Sequence, residues 1–109
     1  MIEITIYKRP ENHTFRCIQV NGHADSVEEG ADLVCCAVSV LTINLVNSLD
    51  HLTDDEFVFD QLQEIGFMSI AFSEEPSEEA ALLLKSYEIG AYSVAAQYGD
   101  WLKVDTEEV

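Results

Sequence analysis

An apolar stretch from Ala31 to Leu49 limits what this chain can fold into. Its apolar side chains recur every three or four residues, which is the spacing of an α-helix. Since most of the helix circumference is apolar, other elements must cover it on more than one side. The stretch approaches the length of a membrane span, but polar residues interrupt it, namely Asp32, Ser39, Thr42, Asn44, Asn47 and Ser48. We therefore predict a buried helix over about Asp32–Leu49 and no membrane partner.

Alternating residues before this helix predict a pair of strands. Ile2, Ile4 and Ile6 alternate with more polar residues, as in a strand with one buried face. After a turn, Thr14–Val20 predicts a second strand that is antiparallel to the first. Asn21-Gly22 ends this strand, and the acidic segment Ala24–Gly30 predicts a loop that leads to the helix.

The residues after the helix predict a hairpin and a second helix. Glu56–Leu62 and Phe67–Phe72 flank the turn Glu64-Ile65-Gly66. Ser77 is a favourable N-cap for a helix, and an apolar stripe at helical spacing follows from Ala80 to Tyr98. We predict that the stripe packs in the core. Its extension by Leu82, Ile89 and Ala96 leaves room for a contact between two copies of the chain.

A short strand over Trp101–Asp105 completes the order ββαββαβ. This order predicts an α+β fold in which a mostly antiparallel sheet carries two helices. The length of 109 residues is that of one small domain, so we expect a single domain over residues 1–109.

The net charge indicates which macromolecules the chain can bind, and the cysteines indicate the redox state of its compartment. Twenty-one acidic side chains against five basic ones give a net charge of −16, which repels nucleic acid and attracts a basic protein. Three cysteines without framework spacing indicate reduced thiols. The alternating N-terminus lacks a basic leader, so we expect neither a signal nor a transit peptide. A cytoplasmic protein without direct nucleic-acid contact is predicted.

Gly22-His23-Ala24 and the helix start near Cys35 place an imidazole and a thiol twelve residues apart. A helix N-terminus stabilises a thiolate, and its free N–H groups, including that of Cys35, can bind an oxyanion. His23 can pair with the thiolate and then protonate the leaving amine. Asp32 either orients His23 or caps the helix. Cys35 can alternatively be a small buried apolar residue, and Ser39 a hydroxyl bonded back to its own helix.

Metal binding and thiol redox chemistry are weaker interpretations of the same residues. Cys17, Cys35, Cys36 and His23 are the soft ligand candidates, but none of them shows a paired two-residue spacing. The adjacent pair Cys35-Cys36 likewise lacks the spacer of oxidoreductase motifs. We therefore expect no metal and no cofactor.

The motifs Gly22-His23-Ala24, Gly30-Ala31-Asp32-Leu33-Val34-Cys35 and Ala37-Val38-Ser39 resemble those of the ribosomal-processing cysteine proteases called Prp. The length and the ββαββαβ order agree with this family over the whole chain. The resemblance implies a cytoplasmic homodimer that removes the N-terminal extension of a large-subunit ribosomal protein precursor. It implies that Cys35 is the nucleophile and His23 the base, and that Gly22, Asp32 and Ser39 occupy the other motif positions.

Two further expectations accompany this resemblance. Cys36 stands where the family usually has alanine, so a second thiol adjoins the nucleophile. The acidic loop from Asp25 to Glu29 would form a lid over the site. An alternative from another class is a non-catalytic ribosome-assembly or translation-associated module that binds a basic ribosomal protein on its acidic surface.

Overall fold

A computed structural model describes residues 1–23 and 29–109 of the chain. The elements follow the order β1 (Ile2–Lys8), β2 (Phe15–Asn21), α1 (Glu29–Leu52), β3 (Val58–Leu62), β4 (Phe67–Ala71), α2 (Glu78–Gln97) and β5 (Leu102–Glu108). A short 3₁₀ turn, Gln63–Ile65, joins β3 to β4. The predicted α+β class and the order ββαββαβ are confirmed.

The five strands form one sheet in the order β3-β4-β2-β1-β5. Three of the four pairings are antiparallel, as expected, whereas β1 and β5 are parallel, from Ile2 opposite Leu102 to Lys8 opposite Glu108. The strand predicted over Trp101–Asp105 extends to Glu108. Its last residues are polar and lack the alternation of a buried strand, so pairing with β1 along its whole length was not visible locally.

The core lies between one face of the sheet and the two helices. Ile2, Ile4 and Ile6 are at most 3% exposed, as their alternation predicts. They belong to one apolar cluster with buried residues of β2, β4, β5 and both helices. Ser77 caps α2 as predicted, because its hydroxyl accepts a hydrogen bond of 3.2 Å from the backbone N–H of Ala80.

The helix α1 is the central element of this core. Val34, Val38, Leu45 and Leu49 are at most 3% exposed, which confirms one buried face. Leu33 and Val40 are 52% and 62% exposed, so the expectation that other elements of the chain cover the helix on more than one side is wrong. Among the described helices, α1 is long and apolar enough to cross a membrane by length and composition alone. In this structure one face of α1 packs against α2 and the sheet.

The start of α1 differs from the prediction. The helix begins at Glu29 rather than near Asp32, so the predicted loop loses its last residues to the helix. Cys35 is consequently the seventh helical residue, one and a half turns from the start. Its backbone N–H lies beyond the first four, which alone lack a partner inside a helix. The expectation that this N–H group binds an oxyanion is therefore wrong.

Candidate active site

His23 is held where the chain leaves the end of β2. Gly22 precedes it with φ of +92°, in the left-handed region that glycine adopts without steric cost. A Cβ atom at Gly22 would lie 2.5 Å from the carbonyl oxygen of Met1, so this position has no room for a side chain. The amino nitrogen of Met1 donates a hydrogen bond of 3.0 Å to the carbonyl oxygen of His23. The backbone of Gly22 and His23 is therefore closely confined by Met1, the residue before β1.

Cys35 reaches the same region from α1. The neighbouring helical positions Val34 and Val38 are buried in the core, and this sets how the helix is rotated. Cys35 is half-buried, while Cys36 is exposed. Both thiols, like that of Cys17, are free. Because consecutive helical residues are about 100° apart around the axis, Cys36 cannot face the same way as Cys35.

The imidazole and the thiol line one cleft of about 150 Å³. Its walls come from the ends of β1 and β2, from α1, and from the β3–β4 hairpin. The lining residues are Ile2, Val20, Gly22, His23, Cys35, Val38, Ser39, Gln61, Gln63, Gly66, Phe67 and Met68. The structure thus brings together four residues that the sequence singled out, Gly22, His23, Cys35 and Ser39.

Asp32 lies apart from these four residues. Its side chain is exposed, and it is not among the residues that line the cleft. Since α1 begins at Glu29, Asp32 is the fourth helical residue and cannot be the N-cap. In the first turn its carboxylate interacts favourably with the positive end of the helix dipole.

The hairpin of β3 and β4 supplies lining residues that the sequence did not reveal. Gln61 and Gln63 are among the lining residues, and their side-chain amides are groups that can donate hydrogen bonds to a peptide. Gly66 ends the hairpin turn next to His23. The sequence showed only that Gly66 lies in a turn. The turn reaches the cleft because β2 pairs with β4, and this contact between distant segments cannot be predicted from local sequence.

The sequence also predicted a lid over the active site and the absence of a metal ion. Four of the five residues of the predicted lid, 25–28, lie outside the described residues, whereas the fifth, Glu29, belongs to α1. Within residues 1–23 and 29–109, no three histidine, cysteine, aspartate or glutamate side chains come close enough to hold a metal ion.

Comparisons with known proteins place the chain in a family. Residues 1–103 match the model of the family described as cysteine protease Prp. The ribosomal processing cysteine protease Prp of Bacillus subtilis is 29% identical over 110 residues, which cover 97% of each chain. The protein of the same description from Staphylococcus aureus is 24% identical over 86 residues, or 79% of this chain and 81% of the relative.

Solved structures show the same fold. The Staphylococcus aureus ribosomal processing protease Prp in complex with a substrate peptide superposes with a TM-score of 0.89 at 23% identity, covering 97% of this chain and 99% of that one. A Streptococcus mutans protein has a TM-score of 0.84 at 30% identity and covers 100% of this chain and 96% of its own. Since the family match extends over residues 1–103, this chain belongs to the cysteine protease Prp family and is a cysteine-type peptidase.

Proposed function

We propose that this chain is a cytoplasmic endopeptidase that removes the N-terminal extension of a bacterial large-subunit ribosomal protein, with Cys35 as the nucleophile and His23 as the base. The observation that carries this proposal is the single cleft that both side chains line. The proposed substrate class is supported by the relatives, which are named ribosomal processing cysteine proteases. The net charge of −16 supports a basic client, since ribosomal proteins bind RNA through basic surfaces.

The proposed reaction has two steps at the cleft. The Cys35 thiolate attacks the scissile carbonyl carbon, and the C–N bond breaks as the His23 imidazolium gives its proton to the leaving amine. A thioester then joins the N-terminal fragment to Cys35. His23 takes a proton from water, the resulting hydroxide attacks the thioester, and Cys35 leaves as the thiolate. Amides of Gln61 and Gln63 on the cleft wall are suitable donors to the oxyanion.

Cys35 and Cys36 offer a matched pair of variants for the test. Cys35→Ala should abolish cleavage of a precursor bearing its native extension, measured by product mass. Cys36→Ala should keep most activity, because this exposed thiol is not part of the cleft lining. Circular dichroism checks that both variants fold. The opposite pattern of activity would assign the nucleophile to Cys36, and cleavage by neither variant nor wild type would favour the non-catalytic binding module.

His23→Ala tests the proposed base. Cleavage should fall by about two to four orders of magnitude, the usual size of a general acid–base contribution. Alkylation of Cys35 should also slow at neutral pH, because the thiolate loses its cationic partner. An unchanged pH profile of alkylation would show that His23 is structural rather than catalytic.

Exposed apolar residues on α2 support the homodimer that the resemblance implies. Leu82 and Ile89 are each 69% exposed and lie seven residues apart, so they share one face of the helix. Two copies that pair through this face would remove both side chains from water. Sedimentation at micromolar concentration measures the oligomeric state.

A further inference from the structure

Gly66 lies directly against the imidazole of His23. It ends the 3₁₀ turn between β3 and β4 with φ of +65°, and its N–H donates a hydrogen bond of 3.2 Å to the carbonyl oxygen of Gln63. Antiparallel pairing sets Val20 of β2 opposite Met68 of β4. The end of β2, where His23 follows, is therefore the neighbour of the start of β4, where Gly66 lies.

The space that a side chain at position 66 would need is already occupied by Gly22 and His23. A Cβ atom there would lie 2.8 Å from Cε1 and 2.9 Å from Nε2 of His23, and 2.5 Å from the carbonyl oxygen of Gly22. Each of these separations is shorter than real Cβ contacts. The Gly22 carbonyl is backbone held beside β1, whereas the imidazole is the end of an exposed side chain. Any L-side chain at position 66 must therefore displace both the imidazole and the backbone at Gly22, the residue that leads directly into His23.

We propose that Gly66 is a positioning residue for the cysteine protease reaction. Because Gly66 has no side chain, the imidazole can pack directly against the backbone of the turn. This contact keeps the ring on the side of the cleft that Cys35 lines. This inference rests on the proposed role of His23 as the base. The contact involves the ring atoms Cε1 and Nε2, so the position of a nitrogen that exchanges protons depends directly on this glycine.

The first test combines Gly66→Ala with His23→Ala in a double-mutant cycle. All proteins carry Cys36→Ala, so that alkylation at the helix reports on Cys35. Gly66→Ala alone should lower kcat by about 10²-fold with little change in KM, the size expected when a catalytic group is misplaced by about 1 Å. In the His23→Ala background the further loss should be much smaller, since only the contact with the Gly22 carbonyl then remains. The pH profile of Cys35 alkylation should likewise change when Gly66→Ala is introduced beside His23, and change much less when His23 is already replaced by alanine.

Gly66→Asn separates the contact from strain in the turn. Asparagine tolerates the left-handed conformation better than alanine does, but it carries the same Cβ. Both variants should therefore lose activity alike. A readout independent of activity is the Cε1–H resonance of His23 in carbon-edited NMR spectra. It should move in both variants, while the resonances of the exposed His13 and His51 stay in place as internal controls.

Three results would overturn the inference. Wild-type kcat in Gly66→Ala would show that the ring is held by other contacts. An equal loss in the wild-type and His23→Ala backgrounds would mean that Gly66 acts on substrate or on the turn. Retained activity in Gly66→Asn alone would assign the effect to backbone strain. A failure of the proposed function is distinct from all three, because His23→Ala itself would then leave cleavage and alkylation unchanged.

Discussion

Tyr87 of α2 forms a hydrogen bond with Thr42 of α1 inside the core, and the burial of its phenol should limit stability at alkaline pH. The two hydroxyl oxygens are 3.0 Å apart, and Thr42 is 0% and Tyr87 3% exposed. Burial raises the pKa of Tyr87 from its ordinary 10.0 to about 12, although the hydrogen bond with Thr42 partly opposes this rise. Between pH 10 and about 12 the unfolded chain has therefore lost a proton that the folded chain keeps.

The free energy of unfolding must then fall as pH rises through this window. The contribution of Tyr87 is fully present below pH 10 and disappears as pH passes about 12. A difference of about two pH units is worth ~2.7 kcal/mol at ~1.36 kcal/mol per unit. Tyr87→Phe removes this dependence, but it leaves the buried Thr42 hydroxyl without its partner, which costs ~1–3 kcal/mol at neutral pH. The wild type should be more stable at pH 8, and its advantage should shrink toward zero near pH 12.

Urea unfolding of wild type and Tyr87→Phe at several values between pH 8 and 12 measures both effects. Other titrating groups contribute alike to the two proteins and cancel in the difference. Thr42→Val combined with Tyr87→Phe is the matched control, because it removes both polar partners and should recover part of the loss. A constant difference between wild type and Tyr87→Phe across this range would refute the argument, since the phenol would then titrate equally in both states.

Three further outcomes are expected. Asp32→Asn should keep cleavage within a few-fold and reduce stability slightly through the helix dipole; a large fall in turnover at unchanged stability would instead show that Asp32 orients His23. If the acidic surface steers a basic client, kcat/KM for the full precursor should fall steeply with salt, because charges are screened over ~8–10 Å near physiological ionic strength. A short junction peptide should respond less, and equal slopes would assign the charge to solubility. Ile89→Glu should shift sedimentation toward the monomer, and an unchanged dimer would place the interface elsewhere.

Local patterns were sufficient for most elements of the fold. The alternation of Ile2, Ile4 and Ile6 predicted β1, because side chains of a strand alternate between faces. The spacing of apolar residues predicted both helices, and Ser77 predicted the start of α2, because capping depends on neighbours three residues away. Gly22, His23 and Cys35 were also recognisable as a candidate site from the sequence, because an imidazole and a thiol stand twelve residues apart on either side of a predicted loop.

The tertiary structure decided what depends on contacts between distant segments. The parallel pairing of β5 with β1 joins the two ends of the chain, and no local period encodes it. The start of α1 at Glu29 moved Cys35 into the second turn and removed its N–H as an oxyanion donor. Gln61, Gln63 and Gly66 entered the cleft only because β4 pairs with β2. The sequence by itself determined the reactive groups and the elements that carry them. The pairing of the strands determined that Gln61, Gln63 and Gly66 surround these groups.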